Sequence, residues 1–574
     1  MKKPTFKIPA QVSRRAAADD GTGAGPAVGS TAGTGTGTAG GPGGASSGLT
    51  RTTQSLLAAA VVLAVVFGVA ELRPPAAASG AAGAATSAEV ERTSLVCPQP
   101  LQGLTGTTAL TGYAPAGAPA TGGSGYVTDI VPPPAAPSPV PSASAPAADP
   151  AASPAAAPSA APTATPSADA APADARLVLA KPGVPAIAPA ANGDTAPGST
   201  ATATGGYAPG FTVSQTTTVT EQRGLGLSGV TCGTAGTEFW FAGASTVADR
   251  TDYVSLTNPG SVPAVVDLRL YGDKGVIEND TASGITLAPG TSQSVLLSTI
   301  SQGPVTDLAV RVFARTGRVG AALHAADGNR GADWVPASAA PAPVQVLPGL
   351  PADTASARLV VAAPADDDAD LKIELSGKNG WFTPAGNESI HVKAGMVAAV
   401  DLGKVTRDEV ASLRLSPSDD KHPTPVVAGL RVDRVGANGK SDAAWLSGAV
   451  PVGKRASVAD NRGGGATTLY LTSSGEVATV RVSASAGSGG GTPATKEVEI
   501  PAGGTVGLPA PEPEGLNGTF AITVETLSGG PVMAARMLTV TAKDVAMFTV
   551  QSLADDHSTV RVPHADQDPG LLVR

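Results

Sequence analysis

Few residues in this 574-residue chain stand at spacings that chemistry uses. Gly224, Gly226 and Gly229 in "RGLGLSG" match G-x-G-x-x-G, which in a dinucleotide fold brings backbone N–H groups and a helix N-terminus to a pyrophosphate. The residues that follow, "VTCGTAGTEFWF", are β-branched, aromatic and glycine-rich, so no helix is expected and phosphate binding is not either. Gly44-Ala45-Ser46-Ser47-Gly48 has the spacing of a serine-hydrolase elbow, but no strand or helix pattern surrounds it to hold a nucleophile in a sharp turn.

The five histidines, His324, His391, His422, His557 and His564, lack partners at i+2 or i+4. His557, His564, Asp566 and Asp568 in "DDHSTVRVPHADQD" have metal-binding types on a segment that reads as a hydrated terminus. The acids of "ADDDAD" at 365–370 suit a solvated turn better than a calcium loop. No Ser/His/Asp triad and no carboxylate pair can be assembled. The expectation is no catalytic residue, no metal and no cofactor, and a protein that is not an enzyme.

Two aromatic clusters are the best ligand candidates: "EFWF" with Trp240, and "NGWF" with Trp381 and Phe382. Aromatic faces stack on sugars, although core packing is the commoner use of such residues. Cys97 and Cys232 are the only cysteines. In an oxidising compartment two lone thiols pair, so a Cys97–Cys232 disulfide is expected.

What must position these groups follows from composition. Glycine (71) and proline (51) are in excess and aromatics are 3%, which implies low-complexity segments beside aliphatic, strand-rich cores. A net charge of −9 without a basic block excludes a nucleic-acid partner. Leu56 to Ala70 is uniformly apolar between Arg51 and Glu71. Its helix would be about 23 Å long, short of a span of about 30 Å unless its flanks extend it, and it reads as an anchor, with cleavage near Ala76-Ala77-Ala78 as the alternative. Lys2, Lys3, Lys7, Arg14, Arg15 and Arg51 precede it, which places the amino terminus inside and the bulk of the chain outside the plasma membrane. Residues 132–176 are almost entirely proline, alanine and serine, a composition that cannot bury enough apolar surface to order itself.

Beyond this the chain repeats. "DYVSLTNPG", "ARLVVAAPA" and "TTLYLTSSG" are followed by alternating strands "AVVDLRLYG", "DLKIELSG" and "ATVRVSAS". Turn glycines Gly290, Gly395 and Gly503 recur at intervals of 105 and 108 residues, and Val319, Val426 and Val532 at 107 and 106. Each repeat ends on an aromatic after an aspartate: Trp334 after Asp333, Trp445 after Asp442, Phe548 after Asp544. The fold expected is all-β: three tandem immunoglobulin-like antiparallel β-sandwich units after one transmembrane helix and a disordered segment. The boundaries read as a disordered cytoplasmic tail over 1–51, a transmembrane helix or signal anchor over 52–73, a membrane-proximal segment with Cys97 over 74–113, a Pro/Ala-rich linker over 114–204, and sandwiches over 205–350, 351–452 and 453–574.

The strings "VERTSLVCP", "RGLGLSGVTCGTAGTEFWFAGASTVADRTDYVSLTNP" and "TGRVGAALHA" resemble an actinobacterial domain-of-unknown-function family of large secreted or membrane-anchored proteins. The resemblance covers essentially everything after Arg51. It implies a cell-envelope protein with one amino-terminal membrane segment, often encoded beside a membrane glycosyltransferase, and carries no catalytic residues over. The first fifty residues depart from the family's pattern. The function expected is a non-catalytic envelope scaffold or partner-binding module, or alternatively a cell-wall glycan binder using Trp240, Trp381 and Phe382.

Overall fold

Period-two alternation is realised as pleated strands with unlike faces. In Ala264–Gly272, Ala264, Val266, Leu268 and Leu270 are buried while Arg269 is exposed. In Ala369–Gly377, Leu371, Ile373 and Leu375 are buried while Lys372 faces solvent. The computed structural model describes residues 86–100, 106–117, 122–130, 170–192, 196–220, 225–328, 330–436, 439–542 and 545–562. They belong to one compact body, Gly83–Arg574. Every strand pairing in its sheets is antiparallel, and the fold is all-β with several sheets and almost no helix. No helix among the described residues is long and apolar enough to cross a membrane, and the helix expected over 52–73 lies outside them.

One strand order recurs. In residues 238–335, one sheet runs Glu238–Ala244, Leu308–Thr316, Ala264–Gly272, Gly275–Ile277, and the other Thr291–Leu296, Arg250–Asn258, Gly320–Asp327, Gly331–Val335. Both contribute to a single apolar core that includes Val254, Leu268, Val310 and Leu323. The same order appears as Gln345–Leu350, Ala411–Pro417, Ala369–Gly377, Gly380–Phe382 with Val397–Asp401, Ser356–Ala362, Val427–Val435, Ser441–Ser447. It appears again as Arg455–Asn461, Phe520–Ser528, Ala478–Ala484, Ala494–Ile500 with Thr505–Pro509, Thr467–Ser473, Val532–Ala542, Val545–Leu553. The repeated landmarks hold matching places: Gly290, Gly395 and Gly503 take positive φ (59°, 68° and 65°), and Val319, Val426 and Val532 are buried.

The structure corrects the number of modules from three to four. Residues 92–231 carry the order once more, as Arg92–Cys97, Ser199–Thr204, Gly125–Asp129, Leu177–Val178 with Ala186–Ile187, Thr107–Tyr113, Thr212–Val219, Gly226–Thr231. Described parts of the stretches expected to be a membrane-proximal segment (74–113) and a linker (114–204) therefore contribute strands of a first module, which continues through 205–231. Two physical reasons hid it. Its strands are rich in Thr, Ala and Gly ("STATAT", "TTALTGY"), which weakens the apolar alternation, and a long Pro/Ala-rich stretch separates Gly125–Asp129 from Leu177–Val178. Residues 131–169 of that stretch lie outside the described residues.

The four modules close into a ring. The last strand of each, Gly226–Thr231, Gly331–Val335, Ser441–Ser447 and Val545–Leu553, touches its counterparts in both neighbouring modules, and the fourth touches the first. The first sheets of modules two, three and four also pack on the second sheets of modules three, four and one. At the closure, Arg455 of module four pairs with Asp556 at 2.6 Å and donates to the Pro209 carbonyl of module one. Thr86–Glu89 and Thr559–Val562 then pair as a two-stranded sheet. The aromatics that end each repeat interlock the ring, because Trp445 is buried in the core of module two and Phe548 in that of module three.

Where modules two and three meet, close packing leaves no room for added atoms. A Cβ on Gly429 would lie 2.0 Å from the Ala242 carbonyl oxygen across the interface between modules two and three. Gly429→Ala is expected to cost about 3 kcal/mol in denaturant unfolding, whereas Gly303→Ala, with nothing within 4 Å, should be near neutral.

Candidate functional site

The ring places several buried polar side chains where the four inner strands meet. Asp333 and Asp442, on the inner strands of modules two and three, are 0% and 1% exposed. Asp333 Oδ1 accepts the Gly229 and Trp334 N–H groups, both at 2.8 Å. Asp442 Oδ1 accepts from Ala443 N–H at 2.9 Å, and its Oδ2 from Phe548 N–H at 2.8 Å. The Leu227 N–H also bonds this carboxyl. Each aspartate therefore holds backbone of other modules, as a cross-ring cap. Gly226 and Gly229 are explained here: Cβ atoms on them would fall 2.9 Å from Ala332 backbone and 2.7 Å from the Thr549 side chain. The glycine string serves close approach at the axis. Gly226 and Gly229 lie within a strand, with no helix N-terminus to receive a phosphate, and Gly224 lies outside the described residues.

Burial raises both carboxyls well above the usual 3.8, and the charge of Asp442 adds to the effect on Asp333. Arg536, fully buried, donates to the Asp460 and Ala459 carbonyls and to Gln551 Oε1. Burial pulls its guanidinium down to about 10. His324 is stacked on Tyr253 and fully buried, and burial, reinforced by Arg250, lowers it from 6.5 to about 3. Ser228 Oγ donates to the Ala332 carbonyl at 3.1 Å and lies 3.2 Å from His324 Nε2. With the hydroxyl proton directed to that carbonyl, neutral His324 donates from Nε2 to the serine, the reverse of nucleophile activation.

These shifts have opposite signs in stability. A carboxyl raised by folding contributes stability that is fully present below its unfolded pKa near 3.8 and is lost as the pH rises through the folded value. A histidine lowered by folding contributes above 6.5 and loses that contribution as the pH falls toward about 3. Measured by denaturant unfolding across pH, Asp333→Asn should gain on the wild type as the pH is raised from 4 to 8. His324→Phe should gain on it as the pH is lowered from 7 to 4. Parallel curves for variant and wild type would contradict either assignment.

Beside the axis, residues of modules one, two and four line a partly open cavity of about 200 Å³. Phe239, Phe241, Trp334 and Val96 line it, with Gln551 and Ser552, and no acidic, basic or cysteine side chain does.

The ligand residues expected from sequence do not converge. Trp240 is 5% exposed, packed on Tyr271 and between modules two and three, with the Arg311 guanidinium 5.3 Å from its ring centroid. That covers the face a sugar would need. Trp381 is half-buried under Arg414, whose guanidinium is 4.3 Å from the ring centroid, and Phe382 beside it is 48% exposed. His391 pairs with Asp370 at 2.7 Å, so the acids at 365–370 form a surface turn. Among the described residues no group of three or more metal-ligating side chains gathers; His564, Asp566, Asp568 and the Ser46 motif lie outside them. Cys97 and Cys232 are joined in a disulfide.

A family profile matches residues 187–511, more than half of the chain. The chain belongs to the family of unknown function DUF5719. The DUF5719 match covers modules two and three whole and parts of one and four, and includes Ser228, His324, Asp333 and Asp442. Arg536, Phe548 and Gln551 of the axis fall beyond it. No curated protein and no solved structure gives a significant match.

Sequence reasoning missed the axis. Its signal was present in the aspartates beside the repeat-ending aromatics, but spacing alone does not reveal that two of them meet across a ring.

Proposed function

We propose that this DUF5719 chain is a non-catalytic cell-envelope protein whose ring of four immunoglobulin-like sandwiches acts as a scaffold or partner-binding module outside the plasma membrane. The observation that carries this reading is how the buried titratable groups are spent: Asp333 and Asp442 are committed to backbone N–H groups of neighbouring modules, and none of them lines the cavity. Export is supported by the disulfide and by the apolar run Leu56–Ala70 after a basic tail. Anchorage by one helix with the amino terminus inside, and an actinobacterial envelope as its setting, belong to the same proposal, with release after cleavage as the alternative. The test is proximity labelling from the full chain with the enzyme tag at its carboxyl terminus, combined with amino-terminal sequencing of the mature protein. Labelling of envelope proteins supports the reading; labelling confined to cytoplasmic proteins overturns it.

A second reading, wall-glycan binding, is favoured by the exposed Phe382 beside half-buried Trp381 and Arg414. Pull-down on purified cell wall that is unchanged by Trp381→Ala and Phe382→Ala removes it.

A further inference from the structure

The first sheets of modules two, three and four share one strand order, so the outward residues of their two central strands can be compared row by row. In module three Glu374 stands opposite Arg414, and the two pair at 2.9 Å. In module four Arg481 stands opposite Glu525, at 3.6 Å. Module two puts Arg269 opposite Arg311. Like charges directly opposite on a sheet face repel, so this row lacks the counter-ion that the same row has in its neighbours. Arg311 is held in place: only its Nε donates to Glu238, at 2.7 Å, and its guanidinium lies 5.3 and 5.2 Å from the ring centroids of Trp240 and Phe313. Arg269 is exposed and makes no ion pair among the described residues. Both arginines line an open groove of about 380 Å³ on the part of this face that module three leaves uncovered. Of its two lining acids, Asp267 is taken up by Arg315 at 2.5 Å and by the Gly284 N–H, and Glu278 forms no ion pair. Phe313, 39% exposed, and half-buried Val276 and Ile277 give the groove an apolar part.

We propose that this groove docks an acidic segment of a partner protein, whose Glu or Asp carboxylate supplies in trans the counter-ion that Glu374 and Glu525 supply within their own modules. The carboxylate accepts from the Arg269 and Arg311 guanidiniums, whose forked donors fit its two oxygens. A residue two positions along an extended segment points to the same side, so an apolar side chain there lies on Phe313. The inference rests on the partner-binding reading above and gives it a face and a chemistry.

The test titrates the peptide acetyl-Thr-Glu-Thr-Leu-Thr-amide into the full chain at low salt, followed by calorimetry, beside a twin with Gln in place of Glu. The acidic peptide should bind one per chain and the twin about tenfold more weakly, the factor for one charge-assisted hydrogen bond. Arg269→Gln should weaken the acidic peptide by a similar factor. Arg269→Glu recreates the pairing of modules three and four, and it should abolish binding while raising the denaturant midpoint. Arg481→Gln, which alters the paired row of module four, should leave binding unchanged. Absence of saturable binding, equal binding of the twin, or binding that survives Arg269→Glu overturns the proposal. Displacement of the peptide by glycerol phosphate at lower concentration than by the peptide itself also overturns it, in favour of a phosphate-bearing polymer. Any of these results removes this face alone, because envelope labelling by the full chain reads the partner-binding proposal separately.

Discussion

Reduction of the Cys97–Cys232 disulfide is expected to destabilise the protein by about 5 kcal/mol, the chain-entropy value for closing a loop of this length, the two cysteines being 135 residues apart. The bond links the first strand of module one, Arg92–Cys97, to the residue after its last strand, Gly226–Thr231, and both cysteines are buried in that module's core. It therefore clamps the two sheets of the module with the smallest side chains and the longest interruption. Losing module one would also uncover Tyr253 and Trp334 of module two and Leu538 and Met547 of module four, which pack near Val230 and Leu227. Thermal and denaturant unfolding with and without reductant, with thiols counted, checks this. Unchanged unfolding of the fully reduced chain would contradict it.

Asp442→Ala should cost about 4 kcal/mol, because it leaves buried N–H groups of Ala443 and Phe548, and that of Leu227, without an acceptor at about 1–3 kcal/mol each. The loss falls on modules three, four and one together, since the three donors come from three modules. Asp442→Asn keeps one acceptor oxygen and should lose less. Denaturant midpoints measured at one pH separate the two variants, and a cost below about 1 kcal/mol for Asp442→Ala would show that the carboxyl does not hold the axis.

Much of the layering was legible in the chain because burial by pleated sheets leaves a period-two signature. Leu371-Lys372-Ile373-Glu374-Leu375 declares which face is inward, and the recurring Gly290, Gly395 and Gly503 mark turns that need positive φ. Module one was not legible, since Ser199–Thr204 alternates Thr with Ala and offers little contrast between its faces. Trp334, Trp445 and Phe548 were recognisable as core residues, but not that Trp445 and Phe548 occupy a neighbour's core. Pattern reports burial; it does not report which module does the burying. The same limit explains Trp240, whose exposure depends on the docking of module three and not on its own strand. Asp333 and Asp442 stood out only as the aspartates ahead of Trp334 and Trp445, because their partners are backbone groups, which no residue type advertises.

Closure of the ring is tested most directly by the distance between its ends. Ser87 and Arg561 face each other in the terminal strand pair and are both exposed. Dipolar spectroscopy of spin labels on Ser87→Cys and Arg561→Cys, with the native disulfide intact, reads their separation. A closed ring predicts one short, narrow distance, set by a cross-strand Cα spacing of about 5 Å. A broad distribution reaching several times that separation would mean that module four does not meet module one.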